Sequence, residues 1–306
     1  VVAAAALAAA PAAAQGTGGT GLLLDLPPSA RAVALGGAYA ALVGDEGTMF
    51  VNPAALAAVR RLAVGFSQEE GLSGADLTTA AVAVRIGRFD LALGGMFLDL
   101  ARDSGLIAPL PIPATGEGVT GYHALAVGAA AWRRGVFSFG VSVKGLREVA
   151  DSARVEVRRL NGVTGDAGLA ITFFDIAAFG VAVQNVAGRL SASDGTRPPL
   201  PRTTRAGLTL NIVDPQGPTR LLTVTEYVAP ARGDAYWVLG VEGGVAWRGI
   251  GVVGRASYAA GRQPGDRSRA AYGAGILLRS LRFDWAAQPA EAAGPTVHRL
   301  GLRVVP

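Results

Sequence analysis

From residue 62 onward the chain alternates in two ways at once. Within segments about ten residues long, every second residue is apolar, which is the period of a β-strand with two unlike faces. Between the segments, short and longer connections take turns. The predicted strands are 62–69, 76–87, 89–98, 119–132, 136–147, 164–173, 176–187, 202–213, 219–228, 236–247, 249–259, 271–279, 281–288 and 297–305, fourteen in all. The connections at 87–88, 133–135, 174–175, 214–218, 248–249 and 279–280 are tight, whereas 70–75, 99–118, 148–163, 188–201, 229–235, 260–270 and 289–296 are longer. A soluble sandwich has no reason to alternate its loops so strictly. An up-and-down barrel of an outer membrane does, with tight turns on the periplasmic side and longer loops outside. The expected fold is all-β: a 14-stranded antiparallel up-and-down transmembrane β-barrel whose two ends are both periplasmic.

The faces agree with this. In 136–147, Phe137, Phe139, Val141 and Val143 oppose Ser138, Gly140, Ser142 and Lys144. In 202–213, Ala206, Leu208 and Leu210 oppose Arg205, Gly207, Thr209 and Asn211, and in 176–187 Phe179 and Val181 oppose Gly180, Ala182 and Gln184. One face suits lipid, and the other is polar or very small, as a lumen requires. Trp237 and Trp247 share a face ten residues apart, and Tyr122 and Trp132 repeat that separation. Ten residues at ~3.3 Å, tilted about 40–45°, climb roughly 25 Å, the distance between the aromatic girdles of a membrane barrel. If Arg248-Gly249 is a two-residue turn, counting back sets Glu242 opposite Arg255, both toward the lumen. Arg282 and Asp284 form a second inward set. Such charges can be a rung that fixes register or part of a polar ligand path, and both readings stay open.

Composition narrows the rest. The chain has 43 glycines in 306 residues, about twice the usual share of ~7%. On the inward face they leave room inside the barrel or let the wall curve. Absence of cysteine excludes disulfides, cysteine-based metal sites and a cysteine nucleophile. The positive charge is scattered arginine with one lysine, Lys144, and not the cluster of a nucleic-acid binder. The two histidines, His123 and His298, stand in strands without a G-x-S-x-G motif, and the acidic residues lack metal-loop spacing. No enzymatic activity, cofactor or metal is expected. Residues 1–14 read as an export signal truncated at its start, with Ala12 and Ala14 before a cleavage site at Gln15. The expected division is signal peptide 1–14, plug or hatch 15–61, and barrel 62–306.

One block fits neither helix nor strand: LGGAYAALVGDEGTMFVNPAALAAV, 35–59. Asn52 is suited to cap a helix and Pro53 to open it, giving a short helix from Pro53 to about Val59. It is too short to stand alone, and the barrel interior supplies a surface to pack on. The stretch 29–57 resembles the N-terminal signature of FadL-like outer-membrane proteins, and especially their PorV/PorQ branch. The shared elements are Ala30-Arg31-Ala32, Gly36-Gly37-Ala38, Asp45-Glu46 and Asn52-Pro53-Ala54, with Ala55 where the pattern usually has glycine. Residues 200–208 and 239–245 are similar too. The resemblance implies a plug inside the barrel, outer-membrane localisation, contact with outer-membrane lipid, and passage or binding of a small hydrophobic ligand. For a PorV/PorQ-like protein it implies type IX secretion partners, bound by loops 99–118 and 148–163.

Overall fold

The computed structural model describes residues 21–59, 61–72, 75–100, 119–152, 155–174, 176–213, 218–261, 268–289 and 296–305. The signal-peptide expectation at 1–14 and most of the expected loop 99–118 lie outside them. Fourteen strands form one closed antiparallel sheet: β1 Leu62–Leu72, β2 Ala75–Ile86, β3 Phe89–Asp99, β4 Val119–Arg134, β5 Phe137–Ser152, β6 Val155–Phe173, β7 Ala177–Ala192, β8 Thr203–Asn211, β9 Thr219–Pro230, β10 Tyr236–Trp247, β11 Ile250–Ala260, β12 Ala270–Leu278, β13 Leu281–Gln288 and β14 Val297–Val304. Each strand pairs with its chain neighbours, and β1 closes on β14 with Phe66 opposite Leu302. Closure removes the unpaired edges that an open sheet would expose.

Turn chemistry sets register. Arg248 and Gly249 have φ of 51° and 84°, the paired positive angles of a tight hairpin turn. That turn puts Trp247 against Ile250 and Glu242 against Arg255. Outside, the wall is a belt of exposed Val, Leu, Ile and Phe, including Leu93, Val143, Leu239 and Val252. Trp132 stacks on Phe139 near the tight-turn end, and Tyr122 on Phe97 toward the other. Trp237 packs on Tyr227 and Trp247 lies under the Arg248 guanidinium, again at opposite ends of one strand.

The largest departures from the predicted strands lie in β5, β6 and β7. β5 runs on to Ser152 and β6 starts at Val155, so the expected loop 148–163 is a tall hairpin. β7 lengthens with it to Ala192. The sequence there sets polar and apolar residues on both faces, with Arg147 and Asn161 outward and Glu148 inward beside Leu160, which blurs the two-residue period; a ladder needs backbone partners but no apolar face. β7 also bends. Asn185 and Gly188 have φ of 56° and 114°, and the β6–β7 register slips between Gly165 and Ala167. β8 pairs with β7 only from Ala177 to Gln184. The upper half of β7 therefore stays on β6 and leaves β8, and the seam is bridged by Asn185 Nδ2 donating to the Pro201 carbonyl at 2.8 Å and by Arg202 donating to Val186 at 3.2 Å.

Residues 22–59 fold inside the wall. They comprise one short α-helix, α1 (Ala30–Ala34), and 3-10 turns at Leu22–Leu24, Glu46–Phe50 and Pro53–Ala58. The Ser29 hydroxyl caps α1 by accepting from Ala32 N–H at 3.2 Å. Gly36 (φ 68°) ends it in a left-handed turn, with Gly36 and Gly37 N–H donating back to Val33 and Ala32. The expected helix from Pro53 is a 3-10 segment ending at Ala58; Asn52 caps it by accepting from Ala54 N–H at 3.1 Å. Single-turn pieces adopt this tighter geometry readily. Inward glycines let the plug backbone lie directly on the sheet. A Cβ on Gly140 would collide with the backbone of Pro53 and Ala54, and one on Gly180 with the Ala40 carbonyl.

Gly140→Ala is expected to leave a closed, heat-modifiable barrel but to displace 52–58 from the wall. Ion conductance in planar bilayers should rise relative to the parent, and proteolysis should cut the plug faster. Unchanged values of both would contradict the glycine seat.

Candidate functional site

The irregular plug creates its own problem. Its carbonyls have few partners in a helix or ladder, and buried backbone groups without hydrogen bonds are costly. The wall answers with inward donors. Lys144 Nζ and Gln184 Nε2 both donate to the Phe50 carbonyl, at 3.1 and 3.0 Å. Arg85 donates to Ala57 at 2.7 Å, Arg303 to Gly44 at 2.7 Å, Arg205 to Gly37 at 3.4 Å, and Arg299 to Pro27. The Asn52 amide donates to the Ala40 carbonyl at 2.6 Å, and Glu226 accepts from Ala40 N–H at 2.7 Å.

Two charge clusters anchor this arrangement. In the larger, Arg31 of α1 forks onto Glu242 of β10, Nε to Oε2 at 2.8 Å and Nη2 to Oε1 at 3.0 Å, while Nη1 reaches Asp45 at 3.2 Å. Glu242 also receives Arg255 at 2.7 Å, Arg282 at 3.2 Å and Arg220 at 3.4 Å. Asp284 holds Arg255 at 2.8 Å and Arg282 at 3.0 Å. Arg303 spans Glu46 at 2.6 Å and Asp45 at 3.6 Å. Plug and wall thus exchange partners in both directions: a plug arginine meets wall carboxylates, and plug carboxylates meet a wall arginine. In the smaller cluster, Arg205 donates to Gln184 at 2.7 Å and pairs with Glu226 at 2.8 Å, and Lys144 pairs with Asp166 at 2.7 Å. Asn211 is half-buried at the tight-turn end of β8, away from both.

Arg303, Arg220, Glu226 and Asp166 are absent from the sequence-derived set. The same counting would have found them: Arg299, Gly301 and Arg303 alternate with Leu300 and Leu302, and Glu226 continues the inward row Leu222–Val224. His123 Nδ1 lies 3.6 Å from Glu148, and His298 stacks on Trp285 outside the barrel. Among the described residues no group of acidic, histidine or cysteine side chains could hold a metal ion.

Titration in the plug follows its surroundings. Burial pushes the Asp45 carboxyl up, but Arg303 and Arg31 outweigh this and hold it below the ordinary carboxylate value. Burial and the adjacent Asp45 charge push Glu46 up to about 7, against the pull of Arg303. Burial likewise raises the Tyr39 phenol.

Above the two charge clusters the inward residues are mixed: Leu77, Leu98 and Leu160 share one cross-strand rung with the buried pairs Glu69–Arg299 and His123–Glu148, and Gly21 N–H donates to Glu148 at 2.9 Å. Leu77, Leu98, Leu125, Leu146, Leu160 and Leu190 line this part of the lumen and pack in one buried apolar cluster with the chain's own Leu23, Leu24 and Leu26. Below it, a cavity of about 30 Å³ lies between Arg31, Glu46, Ser67 and Arg303, on the scale of a single water. The plug fills the bore.

Arg31→Gln would leave Glu242 with its wall arginines while cutting the plug's main tether. Losing one partner of a buried ionic network costs about 3 kcal/mol or more, so the plug is expected to release at lower denaturant than the barrel. Conductance and barrel migration, followed in parallel, separate the two events. For Glu46 the seated value of about 7 exceeds the ordinary 4.5, so its contribution to seating is complete below ~4.5 and is lost as pH rises through about 7. Leak conductance should therefore increase from pH 6 to pH 8, and Glu46→Gln should flatten that rise.

No protein-family model and no curated protein matches this chain. Solved structures do. The chain is similar to the toluene transporter TodX of Pseudomonas putida, with a TM-score of 0.60 at 11% identity, covering 90% of this chain and 96% of that one. It is similar to the toluene transporter TbuX of Ralstonia pickettii, with a TM-score of 0.57 at 14% identity, over 90% and 98%. A FadL homologue of Pseudomonas aeruginosa gives 0.59 at 13% identity, over 90% and 98%. At these identities the likeness is one of fold: a closed fourteen-strand antiparallel barrel.

Proposed function

We propose that this protein is a non-enzymatic FadL-like barrel of the bacterial outer membrane that takes up a small hydrophobic molecule and passes it through its wall. The observation that carries this reading is the leucine-lined upper chamber. Its apolar occupants Leu23 and Leu24 belong to a short 3-10 turn that can be exchanged for a ligand of the same character. The seam where β7 leaves β8 adjoins this half of the barrel. It is closed by two side-chain hydrogen bonds in place of a ladder, and is a lateral way out into the bilayer. The apolar outer belt supports residence in a membrane. The structural neighbours TodX and TbuX are toluene transporters, and on this reading the ligand class is a compact hydrocarbon of that kind. The Ala-rich start at 1–14 serves as the export signal.

A PorV/PorQ-like role in type IX secretion would need loops 99–118 and 148–163 to form a platform for exported proteins. The second of these is the β5–β6 hairpin, and residues 101–118 lie outside the described structure. The chamber has no part in such a role, so hydrocarbon passage is the better-supported reading.

Toluene uptake by cells carrying the barrel should exceed that of cells without it. Leu23→Asn with Leu24→Asn should change uptake severalfold, because the resident leucines then no longer hold the chamber. Uptake equal to the barrel-free control would end this proposal.

A further inference from the structure

The outer surface of β4–β7 is not a plain apolar belt. Near its upper edge it holds an open groove of about 760 Å³. Two cross-strand rungs build it: Ala124–Arg147–Asn161–Ser191, then Ala126–Gly145–Val163–Arg189. Arg147, Asn161, Arg189 and Ser191 are exposed and point away from the lumen. Gly145 and Ala126 form a shallow floor, because neither carries a side chain large enough to fill the space.

Height matters here. Arg147 lies ten residues along β5 from Phe137, and Trp237 ten residues along β10 from Trp247. Arg189 is twelve from Ala177, and the β7 bulge absorbs two of them. Both arginines therefore stand at the level of the upper aromatic girdle, where bilayer hydrocarbon gives way to headgroups. At that boundary a guanidinium is tolerated, and the anions within its reach are lipid phosphates. Among the described residues neither guanidinium has a hydrogen-bond or ion-pair partner, and no described outward-facing side chain on β4–β7 is a carboxylate. The two arginines sit two strands apart and one rung offset, about 10 Å across and ~7 Å along, so two long side chains can close on one anion between them.

We propose that this groove binds one phosphate-bearing anionic lipid. The phosphate is held by Arg147 and Arg189, with Asn161 and Ser191 donating to the headgroup, and an acyl chain lies over Gly145 and Ala126. Arginine suits the task because its planar fork meets a phosphate through two parallel hydrogen bonds. The polar heads of these side chains reach toward the headgroups while their stems cover apolar wall. The inference rests on the barrel standing in a bilayer.

The test uses the full chain in nanodiscs of equal phosphatidylglycerol and phosphatidylcholine, with retained lipid read by native mass spectrometry. The parent should keep one phosphatidylglycerol with at least tenfold preference, and inorganic phosphate at millimolar concentration should not displace it. Arg147→Gln with Arg189→Gln should abolish the preference. Gly145→Leu, which fills the floor without changing charge, should also release the lipid. Arg133→Gln with Arg134→Gln, at the opposite end, should keep it. Equal retention of both lipids by the parent, or undiminished phosphatidylglycerol on the double arginine variant, overturns the site. Heat-modifiable migration reports insertion separately, so failure of the membrane reading is distinguishable from failure of the groove.

Discussion

The fork of Arg31 onto Glu242 is the contact on which the interior depends. A barrel of fourteen strands is too wide for its own side chains to fill and too narrow to ignore what stands inside it. Something must occupy the bore, and whatever does so brings backbone groups into a place with little water. The solution is reciprocal. An irregular segment supplies bulk, and the wall supplies the donors that a helix or sheet would otherwise have supplied. The ionic clusters then settle which way the segment faces. Glu242, fully buried and shared by several arginines, would be intolerable in an empty apolar lumen; with Arg31 present it becomes the point of attachment.

This division explains the composition of the wall. Outward positions are apolar because they meet lipid. Inward positions divide by height. Near the tight-turn end they are arginine, aspartate, glutamate and glycine, matched to a plug with exposed carbonyls. Toward the far end leucines matched to leucines of the chain itself alternate with buried polar pairs such as Glu69–Arg299 and His123–Glu148.

Much of this was legible in the residues. Strand number, closure and the β10–β11 register follow from a period of two and a tight turn at Arg248-Gly249, both local properties. The inward face of β5 could be read from Ser138, Gly140, Ser142 and Lys144 because lipid enforces apolar residues opposite them. The extent of β5 and β6 could not, since above the belt that enforcement ends and Glu148 and Asn161 look like loop. The 3-10 character of Pro53–Ala58 was hidden as well, because it depends on the surface the segment rests on. That Arg31 meets Glu242 was beyond any local pattern: nothing in either neighbourhood names the other, and the pairing exists only once the wall has closed. The outward arginines of β5 and β7 were plain in the chain, but their shared height depends on a bulge visible only in three dimensions.

The sequence distance across that central contact has a consequence for biogenesis. Arg31 and Glu242 are separated by 211 positions, and α1 packs against β12, β13 and β14, while the segment after Asn52 packs against β4, β5 and β6. The part of the chain made first therefore has its destination among strands made last. It must wait, unburied, until most of the wall exists, and then be enclosed as β1 meets β14. Contacts of such long range are slow to form, and this one has a deadline, since a sealed wall admits no late arrival through its side. The chain must coordinate two closures, of a cylinder and of its contents. The final strand pairing is the moment at which a mistake in either becomes permanent.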